Sequence, residues 1–281
     1  MYRLPIKDWK RPLAWKQLVP SCSHTGCPIG TSWTGVLHRA TGFWLNEREW
    51  LCSPRCLEAS LEERLNGHFY ASPSPEPMRT TMPMGLMLLA RGVISDAQLR
   101  DALDMKRVSG DRIGSCLQRL GCVSFEDIAS VVATQWGCPV FPVESVQPGC
   151  SLFVPLSLLE RYRMLPVHLV SQGRRLFIAF CDKIDHSALI SIEQMLGCET
   201  EACVIPEPKL LQELEYRKRD TTGEVTVRRP DTSGETARVI RSYAQQTGSS
   251  AIRLCVVDGN VWARFFSRRS HLDLVFEVAS T

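Results

Sequence analysis

A tandem repeat in the middle of the chain limits its fold more than any other feature. Pro83-Met84-Gly85-x-x-Leu88-x-x-x-Gly92, then Leu99, Leu103 and Lys106, aligns without gaps on a second segment. That segment is Arg112-Ile113-Gly114-x-x-Leu117-x-x-x-Gly121, then Ile128, Val132 and Gln135. The period is 29 residues, with Arg107 to Asp111 between the copies. A period of this size marks a supersecondary unit used twice. In copy one, Leu86, Leu89 and Ala90 precede the glycine break, and Leu99, Ala102, Leu103 and Met105 follow it at helical spacing. Ser95 is placed as an N-cap with Gln98 completing a capping box, and Ser124 caps the matching helix of copy two. The spacing predicts two helical hairpins.

Two polar stretches divide the rest. YASPSPEPMRTTM, ending at Met82, is too rich in proline for a helix or central strand and predicts a linker over 71–82. RKRDTTGEVTVRRPDTS predicts a second linker over 217–233. The expected domains are 1–70, a helical tandem-motif subdomain over 83–149, an α/β subdomain over 150–216, and 234–281. In 150–216, Leu176 to Phe180 and Glu201 to Ile205 read as strands, and Ala188 to Leu196 and Pro208 to Arg217 as helices. In the last segment, a helix around Ala237 to Ala244 precedes strands Ala251 to Val257 and Val261 to Phe266, joined at Asp258-Gly259-Asn260. The expected fold class is α+β and multidomain, ending in a small αββ module.

The first segment carries a different signal. Cys22-Ser-His24-Thr-Gly-Cys27 is followed by Cys52-Ser-Pro-Arg-Cys56, with a hairpin expected over Thr31 to Leu45 and a helix over Leu57 to Leu65. Clustered cysteines point to metal, whereas the other eight of the twelve are scattered along apolar stretches and read as packing. The segment resembles a treble-clef zinc module, in which four thiolates at ~2.3 Å converge on the ion. Cys22, Cys27, Cys52 and Cys56 are the expected ligands, with His24 as an alternative to Cys22. Unliganded cysteines are the plainer reading.

The repeat resembles the MshEN domain, the N-terminal domain of type II secretion and type IV pilus assembly ATPases. That family's pattern is R-L-G-x-x-L-x-x-x-G, six residues, then L-x-x-x-L-x-x-Q, in two copies with a five-residue spacer. The likeness continues through Pro155, Leu158-Leu159, Met164-Leu165-Pro166-Val167 and Leu176 to Asp182, which are similar to the family's P…A…lP…l.vA..DP run. The resemblance implies a cyclic di-GMP site formed by the repeat residues named above, Met84 to Gln135. Glycines would admit the ligand backbone, leucine-type positions would floor the purines, and Arg112 would stack on guanine or bond its edge. Copy one departs at both ends, with Pro83 for arginine and Lys106 for glutamine. One lost charged hydrogen bond is worth roughly 1.5–3 kcal/mol, one to two decades of affinity. A helical-hairpin scaffold without nucleotide is therefore the alternative.

The ATPases' P-loop is missing: no G-x-x-x-x-G-K-[ST] occurs in the 281 residues. Asp182, Asp185 and His186 follow a strand in a polar turn, which argues against acid–base catalysis there. The charge balance, 33 basic against 30 acidic residues, argues against nucleic acid and a membrane surface, and a zinc-dependent nucleic-acid binder is the weakest reading. No apolar run approaches the ~18–20 residues of a spanning helix, and the N-terminus lacks an apolar segment of signal-peptide length. Taken with the resemblance, the expectation is a cytoplasmic, non-enzymatic bacterial sensor or adaptor for cyclic di-GMP. Its zinc would be structural, and its protein partner a secretion or pilus component.

Overall fold

The computed structural model describes residues 21–27, 42–69, 82–147, 149–170, 174–219, 225–257, 259–267 and 271–277. The chain is mixed α/β and divides into two compact units, Met1–Ser74 with Thr222–Thr281, and Pro75–Thr221. Among the described residues no helix is long and apolar enough to cross a membrane.

The first unit begins with strands β1 (Phe43–Leu45) and β2 (Glu49–Leu51). The three-residue connection between them puts Asn46 and Glu47 at positive φ, 51° and 61°, and Arg48 N–H donates to Leu45 O at 3.2 Å. Helix α1 (Pro54–Phe69) follows, with proline at its first position. The Ser53 hydroxyl accepts from the Cys56 amide at 3.2 Å and closes that end. Leu57, Leu61 and Leu65 repeat every four residues and are fully buried. Most of the hairpin expected over 31–45 lies outside the described residues.

The second unit opens with α2 (Met84–Ala90), α3 (Asp96–Ser109), α4 (Ile113–Arg119) and α5 (Phe125–Trp136). The 29-residue period is visible bond by bond. Gly92 and Gly121 both sit at φ 67°. Each ends its helix in the same way, with Gly92 N–H donating to Leu89 O and Gly121 N–H to Gln118 O, both at 2.9 Å. One residue on, Val93 bonds Leu88 at 3.0 Å and Cys122 bonds Leu117 at 2.9 Å, completing a Schellman motif in each copy. Ser95 with Gln98, and Ser124 with Asp127, form capping boxes on α3 and α5.

Beyond two 3₁₀ turns, Val143–Ser145 and Cys150–Phe153, lie α6 (Leu156–Arg161), β3 (Met164–Val170), β4 (Arg175–Phe180), α7 (His186–Leu196), β5 (Glu199–Val204) and α8 (Glu207–Arg219). The sheet order is β3-β4-β5, with β3 antiparallel and β5 parallel to β4. Helix α7 makes the crossover that a parallel pair needs. The helical and α/β halves meet at the end of β5, among other places: Val140 bridges Val204, and Ala129, Val132 and Ala133 of α5 pack with Val204.

The chain then returns to the first unit with β6 (Val225–Arg228), α9 (Ser233–Gln246), β7 (Ala251–Val257), β8 (Asn260–Phe266) and β9 (His271–Glu277). Among the described residues the unit's strands form one six-stranded sheet, ordered β2-β1-β7-β8-β9-β6. β1 runs parallel to β7, fixed by Trp44 N–H to Ser250 O at 2.7 Å and Asn46 N–H to Ile252 O at 2.9 Å. Leu57, Leu61 and Leu65 of α1 share one core with Ala237, Ile240 and Ala244 of α9 and with Ile252, Leu254, Val261, Ala263, Phe265, Leu274 and Phe276 of the sheet. Arg241 and Glu58 tie the two helices at 2.6 Å.

Two expectations about organisation change here. The segments read as separate end modules, 1–70 and 234–281, share one sheet and one core. Neither α1 nor the β7–β8 hairpin can cover its apolar face alone. The stretch 217–233, read as a linker, contains the end of α8 and strand β6, which joins the sheet through backbone pairing with β9. The third C-terminal strand, β9, extends the expected αββ module.

Candidate functional site

The structure sorts the repeat residues into two groups. Gly85, Leu88, Leu99, Gly114, Leu117 and Val132 are buried. The leucine-type positions expected to floor a purine are thus largely core. Gly85 and Gly114 serve helix packing: a Cβ on Gly85 would lie 2.6 Å from the Leu99 side chain, and one on Gly114 would lie 3.3 Å from both Ile128 and the Met84 sulfur. Gly92 and Gly121 answer to their left-handed backbone. The second group reaches the surface. Gly92, Leu103, Lys106, Arg112 and Gly121 are exposed, and Met84, Ile113, Ile128 and Gln135 are half-buried.

The contact of Met84 with Gly114 brings the starts of α2 and α4 together, the matching points of the two copies. Neither start is closed by a side-chain cap, whereas α3 and α5 have theirs closed by capping boxes. Pro83 (φ −55°, ψ 138°) and Arg112 (φ −71°, ψ 147°) occupy equivalent cap positions with nearly the same backbone. Gln135 Nε2 donates to the Met82 carbonyl at 2.6 Å, bringing the end of copy two against the beginning of copy one. Arg112 forms an ion pair with Asp182, just beyond β4. Its side chain remains 60% exposed, and that of Asp182 36%. A pair so open to water is worth ~0–1 kcal/mol and yields to a better partner. Sequence reasoning missed both contacts; Asp182 stood out only as the end of the family-like run and as part of a polar turn.

The cysteines of the first unit converge. The sulfurs of Cys22, Cys27, Cys52 and Cys56 all lie within 4.8 Å of one another. Cys27 to Cys52 is 3.5 Å and Cys52 to Cys56 is 3.7 Å. A tetrahedron of thiolates around zinc at ~2.3 Å has edges of ~3.8 Å, so the group fits the ion. The amide of Cys52 donates to the Cys22 sulfur at 3.5 Å, support of the kind that steadies a metal-bound thiolate. Ser23 pins the knuckle to β2, its amide on Trp50 O at 2.8 Å and its hydroxyl accepting from the Trp50 amide at 3.2 Å. His24, the alternative ligand, stands outside the group. Without a cation, burial and then neighbouring thiols push Cys52 up, and burial pushes Cys56 up. A helix start favours a thiolate, but here desolvation outweighs it. Elsewhere, burial raises Cys150 to about 11 and Cys203 to about 12, as befits packing residues. All twelve cysteines are free of disulfides.

No family model matches the chain. The type IV pilus assembly ATPase PilB of Myxococcus xanthus is 26% identical over 134 residues, 47% of this chain and 23% of that protein. Bacteriophage adsorption protein B of Escherichia coli K12 is 28% identical over 140 residues, 49% of this chain and 18% of that protein. PilB of Thermus thermophilus is 24% identical over 120 residues, 42% of this chain and 14% of that protein. The chain thus spans less than a quarter of the length of these relatives. Among solved structures, MshE with cdg (cyclic di-GMP) is 27% identical with a TM-score of 0.41, covering 48% of this chain and 98% of that one. The N-terminal domain of XpsE is 22% identical with a TM-score of 0.36, covering 47% and 91%.

Proposed function

We propose that the chain carries an MshEN-type domain, of the kind found at the N-terminus of type II secretion and type IV pilus ATPases, and that it is a non-enzymatic cyclic di-GMP-binding adaptor for a secretion or pilus component. The observation that carries the reading is the meeting of the two copies at Met84 and Gly114, with Arg112 exposed beside it. A ligand with two guanines and two phosphates suits twin half-sites placed together. Arg112 is the donor for one half, leaving Asp182 for a charge-assisted bond to a guanine or phosphate. Leu103 and Lys106 lie on the exposed part of copy one.

Calorimetry of the full chain with cyclic di-GMP tests the proposal. Binding in the wild type, weakened roughly 10- to 100-fold in Arg112→Ala, supports it. No heat in the wild type refutes it. The second reading, a scaffold that grips a secretion or pilus protein without nucleotide, is favoured by two observations. Arg112 and Gln135 already have partners within the chain, and Pro83 offers no side-chain donor.

In the same proposal the first unit holds one structural zinc ion on Cys22, Cys27, Cys52 and Cys56. Four protein thiolates close a tetrahedral site, so the ion's chemistry is architectural. Elemental analysis returning about one zinc per chain in the wild type and none in Cys52→Ser is the expected result. A wild-type protein purified without metal, and unable to take zinc up, removes it.

A further inference from the structure

The repeat leaves an asymmetry. Copy two has a guanidinium at Arg112, and the equivalent position of copy one is Pro83. The turn between β4 and α7 lies at this part of the domain, since Asp182 in it pairs with Arg112. Asp185, three residues on, is consumed as the N-cap of α7, accepting from the Ala188 amide at 2.9 Å and the Ser187 hydroxyl at 2.6 Å. His186 is different. It is exposed, and among the described residues its ring nitrogens take no hydrogen bond. Its imidazole and the Trp136 indole meet in a T-shaped arrangement, with ring centroids 6.2 Å apart at 61°. Trp136, Met84 and Ile128 each pack against the buried cluster of Ala129, Val132, Ala133 and Val204, and the neighbouring Gln135 reaches the Met82 carbonyl. These contacts carry the imidazole toward the beginning of copy one.

We propose that His186 is a ligand-contacting residue of the nucleotide site, donating from its imidazole to a phosphodiester oxygen at the end where copy one lacks its arginine. The inference rests on the nucleotide reading above. The ring contact with Trp136 holds the imidazole in place.

The test is calorimetry of the full chain with cyclic di-GMP on wild type, Arg112→Ala, His186→Ala and His186→Gln, with unfolding temperatures measured alongside. His186→Ala is expected to weaken binding about 10-fold, and His186→Gln, which keeps a donor, to stay within about threefold of wild type. Both should melt with the wild type. Wild-type affinity in His186→Ala while Arg112→Ala loses binding overturns the inference and spares the nucleotide reading. So does a loss that His186→Gln fails to rescue and that tracks a lowered unfolding temperature, since His186 is then only structural. A wild type that does not bind overturns both.

Discussion

Removing zinc should melt the sheet formed by the far end of the chain. The four cysteines lie at residues 22–56, but Cys52 and Cys56 belong to the same core as Ile240, Phe265 and Phe276. A zinc ion on these thiolates would fix the beginning of α1, and α1 with α9 covers the sheet. A ligand that binds only the folded form stabilises it by RT ln(1 + [L]/Kd), about 4 kcal/mol at a thousandfold excess over Kd. For a unit of this size each kcal/mol moves the midpoint by roughly 3–4 °C, so the expected shift is about 15 °C. Tryptophan emission reports it, because six of the seven tryptophans fall in the first unit by sequence and only Trp136 in the second. Hydrogen exchange localises it: amides of 251–257 and 271–277 should lose protection on chelation, and Cys52→Ser should abolish the zinc response. Equal midpoints with and without metal, in protein shown to bind and release zinc, would refute the shared-core argument.

Metal-free and metal-loaded protein should respond oppositely to pH. In the metal-free fold Cys52 and Cys56 are raised above the unfolded thiol value, so their contribution is present below about pH 8.5 and is lost as pH rises. Zinc needs the thiolates, so its stabilisation should grow over the same range; chemical denaturation at pH 7 and pH 9.5 with and without zinc checks both signs. Arg264 and Asp273 form a buried bidentate pair at 2.7 Å, with Trp262 also donating to Asp273 at 2.9 Å. Arg264→Leu should cost about 3–5 kcal/mol in equilibrium unfolding, because it leaves a buried carboxylate without its cation. If copy one weakens the nucleotide site through its missing arginine, Pro83→Arg should tighten cyclic di-GMP binding roughly 10-fold or more by calorimetry. Its stability cost should be about 1 kcal/mol or less, since Pro83 and Arg112 share a backbone conformation.

The parts legible in the sequence are those whose cause is local. Ser95 and Gln98, three residues apart, make their own box, and Gly92 and Gly121 announce two identical helix ends. The apolar runs at 176–180 and 251–257 fall within or on β4 and β7 because buried strands need little beyond their own side chains. The missed parts depend on distant partners. β6 lies in a charged stretch and exists through its ladder to β9, nearly fifty residues away (Val225 opposite Asp273). β1 pairs with β7 across some two hundred residues (Trp44 opposite Ala251), a contact no periodicity encodes. The Arg112–Asp182 and Gln135–Met82 contacts are of the same kind, joining residues whose surroundings in the chain give no sign of each other.

This division also explains how the repeat can keep its shape while its chemistry drifts. The positions that fold each copy are Leu88 and Leu117, Gly92 and Gly121, Ser95 and Ser124, and they give matching bonds and dihedrals in both. Changing one of them costs core contacts, a cap or a left-handed turn. The positions that differ between copies, Pro83 against Arg112 and Lys106 against Gln135, lie at the exposed ends or near them, where substitution barely touches stability. Fold alone therefore does not discriminate a working nucleotide site from a retired one. The discrimination lies in surface groups: Arg112, whose ion pair with Asp182 is weak enough to exchange, and, on the inference above, His186, whose imidazole packs against Trp136.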